Sequence, residues 1–480
     1  MRKARTALLL GLALALAGGT AFAQASFTKY EALGDSLTAG YASGALTKFY
    51  QDFSYPAILA TQFGISNFQQ PIISDPGIGS YGTVLQLFQL QLSPTAGVVP
   101  VIGPTPGTPG QPINAMLPGS YNNLGIPGAN TADLLTKKGD ITKLLTGHID
   151  PSTIMYDIVL RDGQHTALEQ AIGAAPTFVT VWAGNNDVLA GVTSGVAVDG
   201  VTVTPTAAFQ QSYTTLIGGL RAQLASAGIV VGTIPDVTAI PFVTTIKPYI
   251  VNPATGAHIP LIGGAGPLTE SDYVTLGASS LLAQGIGIPA AVGGTGLPLP
   301  EGSIDASGLH VGVILRAGEI ALLQSRTREL NDVIKAVAAQ FGAKVVDFNA
   351  IFANLGTHGY MVGGITLTPA FLTGGILSYD GIHPQRLGYA IVANEFIKVI
   401  NAGFGAHVPQ VNLRPFLTGE GAAAATTVMA ANTVFSEQAA ISVIKLFVPN
   451  AIFDSFGTHR VVRRHLAQHE TRGPQESPTP

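Results

Sequence analysis

The sequence predicts an α/β protein: a five-stranded parallel sheet covered by helices on both faces, a three-layer α/β/α arrangement with long loop insertions. Two observations predict it. Five short apolar runs lie along the chain, at Phe27 to Leu33, Ser120 to Leu124, Phe178 to Trp182, Ile229 to Ile234 and Lys344 to Phe348. Helical patterns fall between and after them. Runs that are apolar throughout suit strands buried on both faces. Strands that alternate with helices pair in parallel, because each crossover brings the chain back in the same direction.

In chain order, the first element is an address rather than structure. Arg2, Lys3 and Arg5 precede an apolar stretch from Ala7 to Ala17, and Ala21-Phe22-Ala23 and Ala23-Gln24-Ala25 both suit a signal peptidase. That stretch is shorter than the ~20 residues needed to span a bilayer. Residues 1–25 therefore read as a signal peptide, and the protein as exported to the periplasm or the medium. The expected helices are Pro56 to Phe63, Thr131 to Leu145, Ala207 to Ala227, Leu322 to Phe341 and Pro384 to Ile400, all within a domain spanning 26–405. Two segments break the alternation. Residues 93–119, dense in Pro and Gly, read as a surface excursion, and the largely apolar residues 246–313 as an insertion of the kind that forms lids or binding walls. Residues 406–480 read as a C-terminal extension, partly disordered, with an apolar helical stretch over Ala422 to Phe447, interrupted by Glu437 and Lys445, and a basic, Pro-rich end.

Composition narrows the chemistry. With 46% hydrophobic and 11% charged residues, the 480-residue chain can bury a large core, and 58 Gly and 31 Pro supply its turns. A net charge of -4 without a basic run in the body argues against nucleic acid as a partner. The absence of Cys excludes a thiol nucleophile, a zinc–cysteine site and a lipid anchor on an N-terminal Cys.

Three motifs carry the chemistry. Gly34-Asp35-Ser36-Leu37 follows the first strand, where a sharp turn presents a serine hydroxyl and its N–H to one cleft. Asp380-Gly381-Ile382-His383-Pro384 precedes the last helix of the domain, and Pro384 suits its first turn. A carboxylate three positions before an imidazole can accept its Nδ1 proton, which leaves Nε2 to take a proton from a serine. The loops after the second and third strands, Asn123-Leu124-Gly125-Ile126-Pro127-Gly128 and Gly184-Asn185-Asn186-Asp187, offer glycine N–H and asparagine amide donors for an oxyanion. Separately each is an ordinary turn. Together, in this order, they fall at the C-terminal strand ends, where open parallel sheets place their sites.

This constellation resembles the SGNH/GDSL hydrolase family from about Phe27 to Ala402, and Tyr55-Pro56-Ala57 adds to the likeness. The resemblance implies a flavodoxin-like sheet and serine ester hydrolysis. It implies Ser36 as nucleophile with Asp380 and His383 completing a triad, and Ser36, Gly128 and Asn186 as oxyanion donors. No cofactor or metal is expected. The expected substrate is a small-molecule or lipid ester, with transient contact to a lipid surface, and the apolar 246–313 insertion points to acyl-chain esters. A carbohydrate O-deacetylase on the same fold is the alternative within enzymes, and a non-catalytic surface-binding protein the alternative outside them. Rival motifs are weak. Gly77 to Gly82 matches a dinucleotide fingerprint but follows Asp75-Pro76 instead of a strand, and no Gly-x-Ser-x-Gly elbow occurs. Asp236 and Asp347, at strand ends, read as loop caps.

Overall fold

The computed structural model describes residues 25–93, 97–418 and 433–454; all of the predicted signal peptide but Ala25, and the basic C-terminal end, lie outside them. The first strand, β1 (Tyr30–Gly34), runs into a single helical turn, α1 (Ser36–Ala39), and then α2 (Tyr55–Gln62). Ser54 caps α2 by accepting from Ala57 N at 3.3 Å, and Pro56 sits in its first turn, where its missing N–H costs nothing. Next come β2 (Leu85–Ser93), β3 (Gly97–Pro104) and β4 (Asn123–Gly125). The chain continues through α3 (Ala167–Gly173), β5 (Phe178–Trp182), α4 (Asn186–Ser194), α5 (Thr206–Gln223) and β6 (Gly228–Gly232). The last elements of the layered body are α6 (Ala317–Gln340), β7 (Lys344–Val346), α7 (Phe348–His358) and α8 (Arg386–Phe404).

The central sheet has the order β7-β6-β5-β1-β4, and every pair in it is parallel. All five predicted strands are present. Successive residues face opposite layers. Leu33, Val179, Val181, Ile229 and Val231 join one apolar cluster with α3, α5 and α6. Tyr30, Ala32, Phe178, Trp182 and Val230 join a second with α2 and α8. The uninterrupted apolar runs thus serve two cores at once.

Three expectations change. Thr131 to Leu145 is not one helix: short helices at Asp133–Thr136 and Ile141–Leu145 are separated by an extended Lys137 and by Gly139. A Cβ at Gly139 would lie 1.8 Å from the Tyr156 carbonyl oxygen, so close packing here requires glycine, and Asp140 then caps the second helix through Thr142 N at 2.9 Å. The 93–119 excursion contains β3, which forms an antiparallel pair with β2. The C-terminal extension is partly built into the body. A short strand, β8 (Val434–Phe435), adds to β3 in parallel, and the helix α9 (Glu437–Phe447) buries Ala439, Ala440, Val443, Ile444 and Leu446 in the first cluster. Among the described residues, no helix is long and apolar enough to cross a membrane.

Candidate active site

Strand β1 delivers Ser36 to the C-terminal edge of the sheet. Asp35 caps α1 through Leu37 N at 3.0 Å. Gly34 is required by space: a Cβ there would lie 2.2 Å from both the Trp182 carbonyl oxygen and the Thr38 hydroxyl. The neighbouring strand β4 is tied to this turn by Asn123, whose amide donates to the Thr38 carbonyl at 2.9 Å and whose Oδ1 accepts from Gly125 N at 3.0 Å.

The structure brings Ser36, His383 and Asp380 together. Ser36 Oγ is 2.8 Å from His383 Nε2, and His383 Nδ1 is 2.8 Å from Asp380 Oδ2. All three are buried, at 1% exposure or less. Asp380 Oδ1 also accepts from the Ser378 hydroxyl, Ile382 N and His383 N, and Oδ2 from Gly44 N, at 2.9–3.0 Å. Burial alone would push this carboxyl up, but the imidazole beside it and these donors hold it below the usual carboxylate range. An ionised Asp380 fixes the proton on Nδ1 and leaves Nε2 as acceptor toward the serine. The Tyr41 ring lies 5.0 Å from the imidazole on one side, and the Phe447 ring, from α9, lies parallel to it at 6.3 Å.

The expected oxyanion donors sit on the two adjoining loops. The loop carrying Gly128 crosses the Ser36 turn, with Ile126 N donating to the Gly34 carbonyl at 3.0 Å. Neither the Ser36 nor the Gly128 N–H donates to another described residue. Asn186 opens α4, and its amide donates to the Ala129 carbonyl at 2.7 Å, which links the two loops and engages one of its two amide hydrogens. Its Oδ1 is buried without a partner among the described residues.

Sequence reasoning gave no role to Asp35, Asn185 or Asp187, whose polar contacts hold this arrangement. Asn185 donates to Asp35 Oδ2 at 2.8 Å, and Asp187 accepts from Thr131 N and its hydroxyl at 3.0 and 2.8 Å. Burial pushes Asp35 and Asp187 each up to about 6, against the donors that favour their ionised forms. Both lie inside the quoted motifs, beside the residues that attracted attention. Asp236 and Asp347 serve as local caps, accepting from Thr238 N at 2.9 Å and Ala350 N at 3.2 Å.

Two cavities meet the site. One, of about 110 Å³, is almost wholly apolar; Ser36 and His383 line it with Leu37, Trp182, Phe348 and Ile382. None of its lining residues comes from the 246–313 insertion, which is the correction to the expected acyl wall: α7 and α8 supply that wall instead. The insertion packs into the first core through Leu261, Val274 and Leu276. The other cavity, about 530 Å³ and largely polar, is lined by Gly128 and Asn186 and by the end of α9. No group of three potential metal-ligating side chains occurs among the described residues.

The parallel sheet and a serine, histidine and carboxylate in hydrogen-bonded sequence are those of an α/β hydrolytic enzyme. The chain belongs to the GDSL-like Lipase/Acylhydrolase family, whose sequence model matches residues 30–396, and it is a carboxylic ester hydrolase. Solved structures similar to it include an α/β hydrolase enzyme from the metagenome of Lake Arreo, Spain, at 14% identity and a TM-score of 0.33, covering 80% of this chain and 98% of that one. An extracellular lipase from Streptomyces rimosus is 14% identical, with a TM-score of 0.30 over 78% of this chain and 99% of that one. Phospholipase A1 from Streptomyces albidoflavus NA297 is 15% identical, with a TM-score of 0.28 over 78% and 98%. No curated protein matches the chain.

Proposed function

We propose that the protein hydrolyses esters of short-to-medium-chain acids through an acyl-enzyme on Ser36. The observation that carries this reading is the unbroken relay from Asp380 through His383 to Ser36, with 2.8 Å at each step. Ser36 Oγ attacks the ester carbonyl as His383 Nε2 takes its proton. Negative charge develops on the carbonyl oxygen and is met by the N–H groups of Ser36 and Gly128 and by the free amide hydrogen of Asn186. The imidazolium, steadied by Asp380, protonates the departing alcohol, and a water then repeats the sequence to release the acid.

The acyl preference rests on the apolar cavity beside Ser36 and His383. Its volume of about 110 Å³ is below the ~150 Å³ that accommodates benzene in an apolar protein cavity, so a short acyl group fills it. In a series of p-nitrophenyl esters from acetyl to palmitoyl, kcat/KM should peak among the short chains and fall steeply by palmitoyl. A rate that keeps rising to palmitoyl would overturn the acyl assignment.

We also propose that residues 1–25 direct export and are removed, on the strength of the basic start, the short apolar stretch and the small residues at Ala21, Ala23 and Ala25. N-terminal sequencing of the exported protein should begin at Gln24 or Ser26; a retained Met1 would contradict this.

A further inference from the structure

An ester seated on Ser36 has two arms, and the apolar cavity accounts for one. The other cavity differs from it in every respect. At about 530 Å³ it falls within the ~300–1,000 Å³ of small-molecule sites. Its walls carry the Ser80 hydroxyl and the amides of Asn130 and Asn450. Asp133 and Lys137 contribute opposite charges, which leaves no net charge to attract a charged head group. It begins at the reacting centre: Gly128 and Asn186 line it, and Phe447, in its wall, faces the His383 ring. Asn186, which lines it beside Gly128, is 8% exposed.

The wall facing the oxyanion loop is supplied by Leu446 to Asn450, beyond the family-matched residues 30–396. The contact is close: a Cβ at Gly128, where φ is +83°, would lie 2.5 Å from the Leu446 carbonyl oxygen. The Ser442 hydroxyl donates to the Tyr81 carbonyl at 3.0 Å, and the Lys445 ammonium lies 5.1 Å above the Tyr81 ring. These contacts dock α9 against the loop that also carries Ser80.

We propose that this polar cavity, completed by the end of α9, binds the alcohol half of the substrate, and that this alcohol is an uncharged polyol. The proposal rests on Ser36 being the nucleophile. A polyol brings hydroxyls that can donate to the Ser80 hydroxyl and accept from the amides of Asn130 and Asn450. Glycerol and a sugar share this chemistry; ethanol lacks it.

The test uses the full chain and three esters of one acid, ethyl butyrate, glycerol monobutyrate and butyryl glucose, with p-nitrophenyl butyrate as a measure of catalytic competence. At least one polyol ester should exceed ethyl butyrate in kcat/KM by about tenfold or more, because a site built for hydroxyls discriminates against an alcohol without them. Preference for glycerol monobutyrate alone identifies a glyceride source, preference for butyryl glucose alone a saccharide source, and either result supports the proposal. Ser80→Ala and Asn450→Ala should each lower the ratio of polyol to ethyl ester roughly three- to tenfold, the effect of one hydrogen bond. Equal kcat/KM on all three esters, or a ratio unmoved by both substitutions, overturns the polyol site while p-nitrophenyl butyrate is still cleaved. A protein that leaves p-nitrophenyl butyrate uncleaved as well contradicts the serine mechanism itself.

Discussion

At the scale of single residues, Asp380 is more than a partner for His383. Its two oxygens accept from five donors, so an isosteric amide cannot replace it: Asp380→Asn places an N–H against donors such as Gly44 N or His383 Nδ1. We expect the imidazole to be held in the wrong tautomer and kcat to fall by about 10⁴. Ser36→Ala and His383→Ala should each cost about 10⁶, and their combination no more than either alone, because in the proposed mechanism the two side chains perform one proton transfer. Asn186→Ala removes a single donor and should cost only ~10²–10³. Steady-state kinetics on p-nitrophenyl butyrate distinguish these cases. Losses that multiply in the double variant would show that the residues act independently.

At the scale of elements, β1 carries an unusual burden, since it holds a glutamate in the sheet. Glu31 is 3% exposed, accepts from the Asn122 amide at 2.7 Å, and leaves Oε2 without a partner among the described residues. Burial pushes its carboxyl up to about 8, although Asn122 acts in the opposite direction. The folded protein therefore holds this proton more tightly than the unfolded chain does. Its contribution to stability is full below about pH 4.5 and is lost as the pH rises through 8. Glu31→Gln keeps an acceptor for Asn122 and cannot ionise. Its melting temperature should stay near that of the wild type at pH 5 and exceed it by several degrees at pH 9. A difference between the two proteins that is constant with pH would show that Glu31 ionises normally. The element α9 illustrates what position along the chain conceals: its apolar face, at the far end of the sequence, packs into the first core, and its C-terminal end closes one side of a cavity that begins at Gly128.

At the scale of the whole molecule, what could be read in advance was what the chain encodes locally. Strands buried on two faces announce themselves by uninterrupted apolar runs, and all five were found. The Asp380–His383 spacing and the turn at Gly34–Ser36 placed three side chains that the structure joins by hydrogen bonds. Features that depend on contacts distant in sequence were hidden. The break at Gly139 follows from a carbonyl of Tyr156, the apolar cavity takes its wall from α7 and α8 instead of the 246–313 insertion, and the polar cavity needs residues from 80 to 450. Asn185 and Asp187 were in plain view, but only the folded chain shows that they fasten Asp35 and Thr131. The central claim, that Ser36 forms the covalent intermediate with His383 as its base, is tested most directly by mass spectrometry after treatment with a fluorophosphonate. The account predicts a single adduct on Ser36 in the wild type, none in Ser36→Ala, and greatly slowed labelling in His383→Ala. An adduct on another residue, together with ester hydrolysis that survives Ser36→Ala, would contradict it.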